Sequence, residues 1–186
     1  MIPVGYMYKK VVVRPDWLET ESVTDVYSLS GCVSEDFAGY INNWTYKYWK
    51  HNGYWLFNSP QVILEFATEH GIDMSGTTLF YYEAYEYEYD EDTKDWSTFS
   101  PELSFVTDVQ TPIDKYLSGF DVTSFRMGSS PECSPLSCNS LATSFPVNEH
   151  CLFNTFAEAK EALEGGLFEN SEHGPYRIFA VYRVDI

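Results

Sequence analysis

In Tyr85-Glu86-Tyr87-Glu88-Tyr89 an aromatic ring and a carboxylate alternate without a break. Successive side chains of a strand point to opposite faces, so this order places the tyrosines on one face and the glutamates on the other. The strand is predicted over Thr78 to Tyr89. Asp90-Glu91-Asp92-Thr93-Lys94-Asp95 follows as a charged turn. Trp96 to Thr107 then returns as the partner strand, interrupted at Pro101, where a proline marks an edge or a bulge. Further strands are expected at Tyr6 to Val13, closed by Arg14-Pro15, at Val23 to Leu29, at Phe120 to Met127 and at Val147 to Phe153. The terminal strand, Tyr176 to Val184, carries apolar groups on both faces, which places it inside a sheet.

Three segments read as capped amphipathic helices. Ser34 opens the first, with Glu35 and Asp36 at the positive end of its dipole. Phe37, Tyr40, Ile41, Trp44 and Tyr48 form its apolar stripe up to His51-Asn52-Gly53. Ser59-Pro60 opens the second, which His70-Gly71 closes. Thr155-Phe-Ala-Glu158 is a capping box that starts the third, ending at Gly165-Gly166. Ser134-Pro135 caps a short helix running to about Ala142. Strands arrive in runs without a repeating βαβ alternation, and no internal repeat stands out. The expected architecture is one α+β domain over residues 1–186, a mainly antiparallel sheet packed by helices near 34–50, 59–70 and 155–165.

Composition sets the surface chemistry. Of 186 residues 18% are aromatic, and 28 Asp and Glu face 11 Lys and Arg, a net charge of −17. Residues 1–50 carry six acids and five bases, so nearly all the excess lies beyond them. Residues 81–102 hold eight acids against Lys94 alone. Such a surface repels nucleic-acid phosphates and attracts a basic protein or a cation. The candidate binding residues are therefore Tyr85, Glu86, Tyr87, Glu88, Asp90 and Asp92. Glu158, Glu161 and Glu164 extend the acidic face along the third helix. In size, acidity and aromatic content the chain is loosely similar to bacterial immunity and inhibitor proteins that neutralise basic toxins. That likeness implies a protein-binding module and points to no residue.

No stretch approaches the ~20 apolar residues of a membrane span, and the first fourteen residues lack a secretory h-region. A cytoplasmic protein with four reduced cysteines is expected, without membrane contact, cofactor or structural metal. Phosphate loops of the G-x-x-x-x-G-K-[ST] and G-x-G-x-x-G types are absent, as are H-E-x-x-H and G-x-S-x-G.

The reactive side chains concentrate between Gly128 and Cys151. Cys133, Cys138, His150 and Cys151 offer four zinc-type ligands, but adjacent residues on a strand face opposite ways, so His150 and Cys151 would not both reach one ion. The alternative to a binding module is a Cys/His enzyme. Cys138 would be its nucleophile near a helix N-terminus, which lowers a thiol pKa, with His150 as base and Asn139 or Asn148 as orienting group. His51, His70 and His173 stand at helix ends and turns.

Overall fold

The computed structural model describes residues 1–40, 52–100, 108–125 and 132–185. The strands are β1 (Ile2–Lys10), β2 (Val12–Val13), β3 (Asp25–Val26), β4 (Glu35–Asp36), β5 (Thr78–Ala84), β6 (Tyr87–Asp90), β7 (Asp95–Thr98), β8 (Lys115–Ser124) and β9 (Tyr176–Val184). The helices are α1 (Phe37–Tyr40), α2 (Pro60–His70), α3 (Pro135–Cys138) and α4 (Phe156–Glu164), with a 3-10 turn at Leu141–Thr143. Among the described residues every strand pairing is antiparallel. This is the expected α+β architecture. The stripe positions Ile41, Trp44 and Tyr48, the proline at 101 and the segment 128–131 lie outside the described residues.

β9 is the central strand. β8 flanks it on one side from Lys115↔Val184 to Ser124↔Tyr176, and β5 on the other from Leu79↔Val184 to Ala84↔Phe179. β6 continues the line of β5 past a break at Tyr85 and Glu86 and meets β9 at Tyr89↔Tyr176. β1 lies outside β5, and β7 outside β6. The first six residues of β9 are buried, as two apolar faces require.

Both long helices carry the caps read from the sequence. Ser59 Oγ accepts from Val62 N at 3.4 Å, and Gly71 ends α2 at φ 64°. Thr155 and Glu158 form a reciprocal capping box at the start of α4. Ile63 and Ala67 of α2 enter one apolar cluster with Tyr6, Phe37, Phe57 and Phe80. Ala159, Ala162 and Leu163 of α4 enter another with Val122, Leu136, Phe153 and Ile178.

Two expectations are corrected. Val147 to Phe153 forms no strand, because Asn148 turns the chain. Its Oδ1 accepts from His150 N (2.9 Å) and Leu152 N (3.1 Å), its Nδ2 donates to Ser118 O (2.7 Å), and Cys151 sits at φ 61°. Of Val23 to Leu29, only Asp25 and Val26 pair, with Val13 and Val12.

A further correction is larger, for the fold contains an internal repeat. Asn52 repeats the device of Asn148: its Nδ2 donates to Val4 O (2.6 Å), its Oδ1 accepts from Tyr54 N and Leu56 N, and Trp55 sits at φ 59°. Phe57 exchanges two backbone bonds with Tyr6, as Phe153 does with Phe120. Both exchanges follow a bulge and a glycine, Gly5 at φ 137° and Gly119 at φ 146°. A Cβ on either glycine would stand 2.7 Å from the carbonyl oxygen of Phe57 or Phe153, respectively. Gly5 pairs with Tyr82, Gly119 with Val181, and Tyr82 with Val181. A pseudo-two-fold axis therefore passes through the Tyr82–Val181 pair, relating β1–α2–β5 to β8–α4–β9. The sequence trace is Asn52-x-x-x-Leu-Phe-Asn-Ser59 against Asn148-x-x-x-Leu-Phe-Asn-Thr155.

Candidate functional site

The β6–β7 hairpin and α4 meet along one edge. Trp96 Nε1 donates to Glu164 Oε1 at 2.9 Å, and Lys94 Nζ lies 2.9 Å from Glu169 Oε1. Acidic runs about seventy residues apart in the chain are thus merged into one surface. The tyrosine face of the hairpin turns toward α4. Tyr85 packs edge-on against Phe156 (4.9 Å between centroids) and Trp96, and Tyr89 is buried against Trp96. Tyr87 remains 40% exposed.

The carboxylates have divided roles. Asp90 Oδ1 accepts from Asp92 N and Thr93 N and holds the turn. Glu88 is half-buried, and burial raises its pKa, with the Arg177 charge opposing the rise. Glu83 accepts from Lys115, Tyr182 and Tyr81. Glu86, Asp92, Asp95, Glu161 and Glu164 are exposed.

The cysteines form a group that the sequence reading did not anticipate. The Sγ atoms of Cys32, Cys133 and Cys138 lie within 4.8 Å of one another. Cys32 is exposed, Cys138 half-buried and Cys133 buried. Cys133 Sγ donates to Asn139 Oδ1 at 3.1 Å, and Ser30 Oγ stands 3.5 Å from Cys138 Sγ. Hydrogen bonds from the Cys133 and Cys138 thiols, then from Ser30, and the charge of Lys9 hold Cys32 well below the usual thiol pKa. The Cys32 thiol donates to the Glu132 carbonyl at 3.0 Å. The neighbouring Cys138 and Cys32 thiols, then burial, push the Cys133 pKa up. Cys138 is pulled down by Cys133, but Cys32 and burial leave it raised overall. Three thiols so placed are a suitable ligand set for a soft metal ion.

Cys138 closes α3 instead of standing at its N-terminus. His150 is elsewhere engaged: Nδ1 lies 2.6 Å from Asp25 Oδ1, and the ring stacks on Tyr27 with centroids 4.0 Å apart. Among the described residues Cys138 and His150 share no hydrogen bond. Asn148 is spent on the turn, and Cys151 is buried, with burial pushing its thiol up to about 12.

A buried polar network supports the cysteine loop. Lys9 is 1% exposed, and its ammonium donates to the carbonyls of Ser28 (2.6 Å), Leu29 (2.7 Å) and Ser30 (3.3 Å). Burial brings its pKa down to about 8, against the opposing charges of Asp36 and Asp121. Asp121 Oδ2 accepts from Leu29 N (2.7 Å) and Ser134 Oγ (2.6 Å), and burial lifts this carboxyl to about 6. Ser30 and Ser134 bond reciprocally, each N–H donating to the other's Oγ. Arg177 is also buried, its guanidinium carbon 3.3 Å from the Phe99 ring centroid. Lys9, Asp121 and Arg177 gave one weak signal in the sequence, a charge inside an otherwise apolar strand. Among the described residues no helix is long and apolar enough to cross a membrane. No protein-family model, curated protein or solved structure matches the chain.

Proposed function

We propose that the chain is a protein-binding module of the inhibitor type, docking a basic partner on the surface made by the β6–β7 hairpin and α4. The observation that carries this reading is the junction of Trp96 with Glu164 and of Lys94 with Glu169, which joins the two acidic runs. Glu86, Asp92 and Asp95 stand exposed on the hairpin, Glu161 and Glu164 on the helix, and Lys94 and Lys160 are the basic residues among them. Carboxylates so arranged steer a cationic partner during approach, while Tyr87 offers aromatic contact area at small entropic cost. Tyr85 and Tyr89 act behind this surface by fixing the hairpin to α4.

The test is kinetic. A basic polypeptide serves as the probe, and its association rate is measured against salt for the wild type and for Glu86→Lys/Glu88→Lys/Asp92→Lys. The reading expects slower association and a flatter salt dependence in the variant. Association unaffected by the three reversals removes this surface from consideration.

A further inference from the structure

We propose that Cys32, Cys133 and Cys138 form a binding site for one thiophilic metal ion of the zinc class. The three residues come from separate segments: the loop before β4, the bridge residue opposite Ser124, and the end of α3. Chance rarely brings three thiols of a four-cysteine chain within 4.8 Å. Zinc–thiolate bonds of about 2.3 Å in a tetrahedral site set the sulfurs about 3.8 Å apart, so contraction of ~1 Å closes the site.

The surroundings hold these ligands in place. Three carbonyls of the loop Ser28–Ser30 converge on the Lys9 ammonium, Asp121 holds Leu29 N, and Ser30 and Ser134 interlock beside Cys133. Outer partners of this kind orient ligands in known metal sites. Binding displaces whatever protons the three thiols still carry and leaves the divalent ion with three thiolates, a net charge of −1. The buried Lys9 cation, held on the carbonyls of the adjoining loop Ser28–Ser30, offsets that charge. Cys32 is exposed, so the fourth coordination position opens to solvent and takes a water or a ligand from outside. The loop bearing Cys32 belongs to the first half of the repeat and the other two cysteines to the second, so the ion would staple the halves together. The site is independent of the acidic surface.

Full-length protein, kept reduced with a phosphine that does not coordinate zinc, is titrated with Zn²⁺ against a chromophoric chelator, and in parallel with Co²⁺. One ion per chain is expected, with cobalt giving a thiolate charge-transfer band and the intense ligand-field bands of a tetrahedral site. Cys32→Ser, at an exposed position that leaves the circular dichroism unchanged, is expected to weaken zinc binding by more than the ~100-fold that loss of an outer-shell contact costs. Cys151→Ser is expected to bind as the wild type does. No zinc uptake by the wild type, a cobalt spectrum without thiolate bands, or equal affinity in Cys32→Ser would each overturn the site.

Discussion

Asp121 shows what one buried carboxyl does to the pH profile of a fold. Its pKa in the native state is about 6, against an ordinary 3.8, because burial disfavours the charged form more than Ser134, Leu29 N and Lys9 favour it. The native state therefore prefers the protonated acid. Its contribution is fully present below pH ~4 and is lost as pH rises through about 6, in all about 3 kcal/mol. Lys9, brought down to about 8, stays charged through that window. Asp121→Asn keeps an acceptor for Leu29 N and Ser134 Oγ and does not titrate. Its stability relative to the wild type, read from urea unfolding, is expected to rise between pH 4 and 7, and a constant difference would contradict the assignment. Lys9 and Asp121 were not legible as a pair, since each earns its place through loop 28–34, and Asp121 meets Leu29 across ninety-two residues. Cys32 was invisible for the same reason. Cys133 and Cys138 invited attention through their closeness in the chain, which drew in His150 and Cys151 and left out the third thiol.

Among the elements, the helices opened by Ser59 and Thr155 were the most legible, because a cap and an apolar stripe are local. By contrast, Glu35 and Asp36, expected in the first turn after Ser34, pair with β1 as β4, and the helix begins at Phe37. Ser59-Pro60, Thr155 with Glu158, and Gly71 lie where the sequence put them. Thr155→Ala is expected to cost about 1 kcal/mol in chemical denaturation. The segment Val147 to Phe153 misled because its apolar composition resembles a strand, whereas the Asn148 side chain captures the two amides that a ladder would use. The repeat stayed hidden for a related reason. Its halves share an asparagine, Leu-Phe-Asn and a cap residue, but the stretch from the bulge glycine to the asparagine is much longer in the first half. Asn52→Ala and Asn148→Ala each leave amides and a carbonyl unbonded, so each is expected to lose about 1–3 kcal/mol in the same assay. If one variant proves neutral while the other unfolds, the two turns are not equivalent devices. Gly119→Ala is expected to destabilise more than Thr155→Ala, since it adds a Cβ at φ 146° against the Phe153 carbonyl.

At the scale of the whole molecule, −17 charges make acidity a general property as well as a local one. Self-repulsion weakens as the Debye length shrinks to about 8 Å at physiological salt, so the midpoint of thermal unfolding is expected to rise with sodium chloride. A falling midpoint would mean that attractive pairs such as Lys115–Glu83 dominate. The alternation read at residues 85–89 lies in a strand only over Tyr87 to Tyr89, because the strand breaks at Tyr85 and Glu86. It did not reveal that α4 covers the tyrosine face, because that contact joins distant segments. The proposed docking of a basic partner on this hairpin-and-helix edge has a direct consequence for amide protection. Hydrogen exchange of the chain, free and mixed with a basic polypeptide that binds it, tests it most directly. Slowed exchange on binding is expected at residues 86–98 and 158–169, with β1 and α2 unchanged, and protection confined to β1 and α2 would contradict it.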